Sequence, residues 1–117
     1  MRHHNHNRKL QRTRNARRAL LRSLAISLID KNRIKTTEAK AKELRPFIER
    51  LVSRGKTNTL SSRRLALAEL YNQTKTVKKL FSEVSPRYEK RTGGYTRITK
   101  LPIRKGDASK MAMIEFI

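Results

Sequence analysis

The apolar residues of this chain recur at helical spacing in four stretches that polar residues separate. Between residues 15 and 31, alanine and leucine return every four positions, at Ala16, Leu20, Leu24 and Leu28, which predicts a first helix. The first two turns of this helix carry arginine, whereas its last turns are apolar almost all round. We therefore expect its end to be buried and its start to face a partner.

A second helix is predicted over residues 40–54. Its apolar stripe consists of Ala41, Leu44, Ile48, Leu51 and Val52. Pro46 lies inside this pattern and lacks a backbone donor, so we expect a kink or two shorter segments. Thr36 or Thr37 is expected to cap the helix, and Gly55 is expected to end it.

Two shorter helices are predicted after a polar linker. One covers residues 61–71, with Ser61 or Ser62 near its N-cap. The other begins at Thr74 and ends at Pro86. Its amphipathic stripe is formed by Val77, Leu80, Phe81 and Val84.

Three segments have the composition of β-strands. Arg33–Thr37 contains a β-branched run, and residues 95–101 and 111–117 are rich in residues that favour strands. Gly93 and Gly94 mark a turn or a bulge before the second of them. The pattern predicts an α+β fold, in which three to four helices pack on a small sheet of about three strands.

The charge of the chain gives information about its binding partner. Lysine and arginine number 30 against nine acidic residues, which gives a formal net charge of +21. Before Asp30 there is no acidic residue, and seven of the eight basic residues are arginine. So many like charges repel one another unless a polyanion neutralises them, and arginine forks onto two phosphate oxygens. The charge pattern therefore predicts a nucleic-acid partner.

The first 14 residues are predicted to form a basic, extended N-terminal tail. Met1 and Leu10 are their only apolar side chains, so they cannot bury enough surface to offset the entropy of ordering. We expect residues 1–14 to be disordered alone and to become ordered on RNA. Residues 15–117 are expected to form a single α+β RNA-binding domain.

The sequence offers little that points to catalysis or to a cofactor. It has no cysteine, and its nine acidic residues are scattered among basic ones that they are expected to neutralise. The cluster of His3, His4 and His6 has two interpretations, a metal site or a solvated basic arm. The arm is favoured because the nearest carboxylate is that of Asp30. We expect no enzyme activity, no cofactor, no metal and no small-molecule substrate.

Residues 87–97 interleave aromatic with basic side chains. Tyr88 and Tyr95 are candidates for stacking on unpaired bases, and the alternative is that both rings pack in the core. Gly93 and Gly94 would allow backbone amides to approach a phosphate closely.

Several motifs resemble those of a known family. They are Met1-Arg2-His3, Arg8-Lys9-Leu10, KTT at 35–37 followed by KAKELR at 40–45, Pro86-Arg87-Tyr88 and GGYTRI at 93–98. With these motifs the chain resembles, over almost its whole length, the bacterial and organellar large-subunit ribosomal protein L-seventeen family. The resemblance implies a structural role without enzyme activity. It also implies binding to large-subunit ribosomal RNA, beside other ribosomal proteins near the peptide exit tunnel. The implied location is the ribosome of the bacterial cytoplasm, or that of an organellar matrix or stroma.

Charge and resemblance together give three groups of candidate RNA-binding residues. The first group lies in the tail and the first helix: Arg2, His3, Arg8, Lys9, Arg12, Arg14, Arg17, Arg18 and Arg22. The second surrounds the first strand: Arg33, Lys35, Thr36, Thr37, Lys40 and Lys42. The third follows Pro86: Arg87, Tyr88, Arg91, Gly93, Gly94, Tyr95, Thr96, Arg97, Lys100, Arg104 and Lys105.

Two other classes of protein share the basic composition. A DNA-compacting or regulatory protein would show a dimerising core or a helix–turn–helix, whereas here a strand and a long linker separate the predicted helices. A cationic protein that acts on membranes needs an apolar helix face with an aromatic anchor. This chain has no tryptophan, no apolar run long enough to span a bilayer, and no phenylalanine near its tail, so we expect no membrane partner.

Overall fold

The α+β fold class is confirmed in the computed structural model, which describes residues 8–117. Its elements are α1 (Arg14–Lys31), β1 (Arg33–Thr37), α2 (Glu38–Lys56), α3 (Leu60–Glu69), α4 (Thr74–Lys79), β2 (Thr96–Leu101) and β3 (Met111–Phe116). A π-helical turn, Leu80–Val84, and a 3-10 turn, Ser85–Tyr88, extend α4 without a break. Arg14 is thus the first residue of α1, one position before the expected start of the folded domain.

The three strands form one antiparallel sheet in the order β1-β3-β2. Ile34, Ile114 and Ile98 stand opposite one another across the sheet, on the face that packs against the helices. Because side chains alternate along a strand, their neighbours project from the other face. This second face carries Arg33, Lys35, Arg97 and Glu115.

Helix α2 lies at the centre of the fold and packs against α1, α3, the two helical turns that follow α4, and all three strands. Thr37 caps it by accepting a hydrogen bond from the backbone N–H of Lys40 at 3.4 Å. Of the two outcomes expected at Pro46, the division into shorter segments is wrong, since Glu38–Lys56 forms one helix of 19 residues; a kink stays a prediction. Proline has no N–H, so the carbonyl oxygen of Lys42 lacks its usual helical hydrogen bond. Pro46 is exposed, so water can donate to that carbonyl instead.

Gly55 was expected to end α2 but lies buried inside its last turn. Glycine is required at this position by packing and not by the end of the helix. The side chain of Ser85 occupies the space that a β-carbon at position 55 would need. Ser85 in turn donates a hydrogen bond to the carbonyl oxygen of Val52 at 3.0 Å.

The ends of the two shorter helices also differ from the prediction. Thr59, rather than a serine, caps α3, by accepting a hydrogen bond from the N–H of Ser62 at 3.2 Å. The helical path after α4 passes Pro86 and ends at Tyr88. Proline stands at one of the first two positions of the 3-10 segment, where its fixed φ is compatible with the helical path.

Helix α1 is buried only in its second half, where Ala25, Leu28 and Ile29 enter the core. None of its residues from Arg14 to Leu24 is fully buried, although Leu21 and Leu24 pack against the edge of the core. No helix in residues 8–117 is long and apolar enough to cross a membrane.

Candidate nucleic-acid interface

The outer face of the sheet presents a row of three charged side chains. The register aligns Arg33 of β1 with Glu115 of β3, and Glu115 with Arg97 of β2. Nη1 of Arg97 lies 3.8 Å from Oε1 of Glu115, and the side chain of Arg97 is 60% exposed. An exposed pair of this kind adds little to stability, so the guanidinium can turn toward another anion at low cost.

The next row on this face consists of Lys35, Met113 and Thr99. Lys35 and Thr99 are exposed, and Met113 is half-buried between them. We call Arg33, Lys35, Arg97 and Thr99 the sheet patch. It offers three cations and a hydroxyl on a rigid surface, and Glu115 is the single carboxylate in these two rows.

The first two turns of α1 form a second basic surface. Arg14 and Arg18 are exposed and Arg17 is partly exposed. We call these three residues the helix patch. The guanidinium of Arg22 lies 4.7 Å from the centre of the Tyr71 ring, a cation–π contact that holds it against the body. Arg22 is therefore less available to RNA than its neighbours.

Basic side chains also gather where α2 begins. Nζ of Lys42 lies 2.9 Å from Oε1 of Glu38, and this hydrogen bond lowers the pKa of Glu38, with Lys100 and Lys110 adding to the effect. Arg8 reaches the same helix, where its Nη1 is 3.7 Å from Oε2 of Glu43. These contacts neutralise part of the positive charge within the protein itself.

The segment that includes Tyr95 and Thr96 is buried and is held to α2 by hydrogen bonds. Oε1 of Glu49 accepts hydrogen bonds from the N–H of Tyr95 at 3.1 Å and from Oγ1 of Thr96 at 3.2 Å. Arg45 completes this link by donating to the carbonyl oxygen of Thr96 at 3.1 Å. Both anchoring side chains were missed in the sequence, where Glu49 looked like a partner of neighbouring cations alone. Their i, i+4 spacing was visible, but a contact with a segment about 46 residues away was not.

The tyrosine rings pack in the core, which was the alternative to base stacking. Tyr88 and Tyr95 are 5% and 1% exposed, and their ring centres lie 5.1 Å apart. The hydroxyl of Tyr88 donates to the carbonyl oxygen of Ile117 at 2.7 Å, and burial raises its pKa. A hydrogen bond with Lys56 lowers the pKa of Tyr95. Neither ring leaves a face on which a base could stack, and the geometry does not support that role.

Gly93 and Gly94 form the turn that delivers Tyr95 to the core. Their φ angles are +144° and +63°, values that L side chains rarely adopt. Added β-carbons would meet no atom within 4 Å at either position, so conformation and not crowding requires glycine here. The expected close approach of this backbone to a phosphate remains a prediction.

Arg104 is engaged within its own loop. Its Nε and Nη2 donate to the two carboxylate oxygens of Asp107 at 2.9 and 2.6 Å. This fork, together with hydrogen bonds from Ser109, holds the pKa of Asp107 well below its usual range. The expected phosphate contact of Arg104 therefore competes with an existing bidentate pair.

The candidates divide by exposure. The exposed ones are Arg8, Lys9, Arg12, Arg14, Arg18, Arg33, Lys35, Lys42, Arg87, Arg91, Gly94, Arg97, Lys100, Arg104 and Lys105. The partly buried ones are Arg17, Arg22, Thr37, Lys40 and Gly93, and the buried ones are Thr36, Tyr88, Tyr95 and Thr96. Arg2, His3 and the histidine cluster lie outside the described residues. Within residues 8–117, no group of histidine, cysteine or acidic side chains is arranged to hold a metal.

Comparison with known proteins extends the resemblance seen in the motifs. The sequence model of the family described as "Ribosomal protein L17" matches residues 20–117. The large ribosomal subunit protein bL17 of Gemmatimonas aurantiaca is 53% identical over 117 residues, which cover all of this chain and 98% of that protein. The protein of the same name from Fusobacterium nucleatum is 50% identical over the full length of both chains. That from Hydrogenobaculum is 51% identical, over all of this chain and 99% of its own length.

Proposed function

Because the chain belongs to the ribosomal protein L17 family, we propose that it is a structural component of the large ribosomal subunit that binds large-subunit ribosomal RNA through arginine and lysine. The family is structural and non-enzymatic, and its bacterial members act in ribosomes of the cytoplasm. Ribosomal RNA and other ribosomal proteins are accordingly the partners. Placement near the peptide exit tunnel rests on the family resemblance alone and is part of the proposal.

The observation that carries the RNA contact is the sheet patch. Arg33, Lys35 and Arg97 project from one face of a sheet whose opposite face is held by the core. A rigid sheet fixes the spacing of these cations before binding, so little side-chain and backbone order is lost when phosphates occupy them. Phosphate contacts of this type position a protein on RNA without reading its sequence.

The helix patch supplies a second, separate set of contacts. Its three arginines lie on the first two turns of α1, which hold no fully buried residue, and Arg14 and Arg18 are exposed there. The predicted tail, residues 1–14, runs into this patch at Arg14, the first residue of α1. We propose that they extend along RNA from it, as their charge and lack of apolar side chains predict.

The test is the salt dependence of RNA binding by the purified full chain. Each phosphate contact contributes about 0.7–0.9 to the slope of log affinity against log salt concentration. Arg97→Ala should lower the slope by about that amount. Arg104→Ala is the matched control, because an exposed arginine already paired with Asp107 should change the slope less.

Two further measurements separate this proposal from the other protein classes. The native protein should sediment with large ribosomal subunits, and at moderate salt it should bind structured ribosomal RNA more tightly than duplex DNA or anionic vesicles. Equal affinity for duplex DNA, or slopes that neither arginine variant alters, would contradict binding through the sheet patch.

A further inference from the structure

An apolar groove lies between α3 and α4, on residues that the RNA-binding proposal does not use. Its volume is about 430 Å³, within the range of ligand and side-chain pockets. Val77 and Phe81 form its floor and Leu67 forms a wall. Val77 and Phe81 are buried, whereas the groove itself opens to the surface.

Two cations stand at the mouth of this groove. Lys78 lines it from α4, and Arg63 lines it from α3. Arg63 is held in place, because its Nε donates to Oδ1 of Asn58 at 2.8 Å and its guanidinium carbon lies 5.9 Å from the centre of the Phe81 ring. Its two terminal nitrogens find no hydrogen-bond partner among residues 8–117, and none of the lining residues is acidic.

The helices around the groove are built to leave it open. Of the ten residues of α3, only Ala66 is buried. Leu60 is exposed, and it stands two turns before Leu67 on the same side of α3. Phe81 belongs to the π-helical turn Leu80–Val84, and such turns are frequent at functional sites.

RNA phosphate is a poor occupant for this groove. A phosphate would satisfy Arg63 or Lys78, but covering an apolar floor with a charged, hydrated group costs desolvation energy. An apolar side chain removes the same floor from water favourably. A carboxylate beside it would receive a bidentate contact from the planar guanidinium of Arg63.

We propose that this groove docks a protein segment in which a large apolar side chain is flanked by aspartate or glutamate. The proposal rests on the ribosomal role for its setting, since it assigns to this surface a neighbouring protein of the large subunit. The apolar anchor fills the groove, and the flanking carboxylates pair with Arg63 and Lys78. This division into an apolar centre and a charged rim is the usual anatomy of a protein interface.

The test places a photo-crosslinking residue, p-benzoylphenylalanine, at Ser82, an exposed residue that lines the groove. The full chain is assembled into large subunits, irradiated, and the crosslinked peptide is sequenced. The control probe replaces Leu65, which is 54% exposed on α3 but does not line the groove. Sedimentation of both variants with the subunit is measured first, so a failure of assembly is distinguished from a failure of docking.

We expect the probe at Ser82, but not the one at Leu65, to capture a protein segment that has an apolar residue within three positions of a carboxylate. A synthetic peptide of that segment should bind the free chain. Lys78→Glu should weaken this binding about tenfold, and a peptide with lysine in place of the carboxylate should restore it. Crosslinks to RNA, crosslinks to a segment without carboxylates, absence of any crosslink in assembled subunits, or unaltered peptide binding by Lys78→Glu would overturn the proposal.

Discussion

Gly55 and Ser85 approach each other so closely that position 55 has no room for a side chain. A β-carbon built at Gly55 would lie 2.1 Å from Oγ of Ser85 and 2.9 Å from its Cβ. Both residues are buried, and the hydroxyl of Ser85 is tied to the carbonyl oxygen of Val52. This contact sets the distance between α2 and the 3-10 turn that carries Tyr88.

Gly55→Ala should therefore destabilise the protein, although alanine favours helices. We expect a net loss of about 1–2 kcal/mol, because overpacking a buried contact outweighs the gain of about 1 kcal/mol in helix propensity. Denaturant unfolding measures this loss. Gly106→Ala is the control, since a β-carbon there meets no atom within 4 Å and the unfolding midpoint should stay nearly constant.

The carboxylate of Glu49 is expected to stabilise the start of β2 through its hydrogen bonds. Glu49→Ala leaves the buried N–H of Tyr95 without its acceptor, which should cost about 1–3 kcal/mol. Glu49→Gln keeps an oxygen in the same place and should cost clearly less. Thermal or denaturant unfolding of the two variants decides the point, and equal losses would mean that charge, not the hydrogen bonds, matters at this position.

Substitutions at Gly94 can distinguish a conformational role of this residue from a role in RNA contact. Gly94→Val should destabilise the fold by about 1–2 kcal/mol because its φ of +63° is unfavourable for a β-branched residue. Gly94→Asn should fold almost normally, since asparagine tolerates this region. If the backbone here approaches a phosphate, the asparagine variant should bind ribosomal RNA less tightly at unchanged stability. Unaltered binding would restrict the role of Gly94 to shaping the turn.

The helix patch should affect RNA affinity without affecting stability. Replacing Arg14, Arg17 and Arg18 together by alanine should lower the salt-dependence slope by about two to three units, if each arginine contacts one phosphate. The unfolding midpoint should barely change, because this half of α1 has no buried residue and alanine is a strong helix former. A lower midpoint with an unaltered slope would contradict the assignment.

Asp107 should remain ionised in acid. Because Arg104 lowers its pKa in the folded state, the pair contributes stability above the ordinary aspartate pKa of about 4 and loses it as the pH falls through the lower folded value. The carboxyl carbon signal of Asp107 in an NMR titration reports this directly. In Arg104→Ala, the midpoint should move up toward 4; a midpoint near 4 in the native protein would show that the pair does not persist in solution.

The sequence is sufficient to predict the secondary structure of this protein and the chemical class of its partner. Helical spacing predicted the four helices, β-branched runs predicted the three strands, and the excess of arginine predicted a polyanionic partner. These features depend on local spacing or on summed charge. They can therefore be predicted without knowing which residues are in contact in the fold. The GGYTRI motif likewise indicates the family from sequence alone, without any knowledge of the tertiary structure.

The role of each residue of that motif depends on how distant segments pack together. Tyr95 and Arg97 are two positions apart, yet Tyr95 enters the core through Glu49, whereas Arg97 faces outward beside Glu115. The same holds for Gly55, which looks like a helix end until Ser85 is placed against it. Burial and long-range hydrogen bonds depend on the packing of segments about 20 to 50 residues apart, and no local pattern encodes that packing.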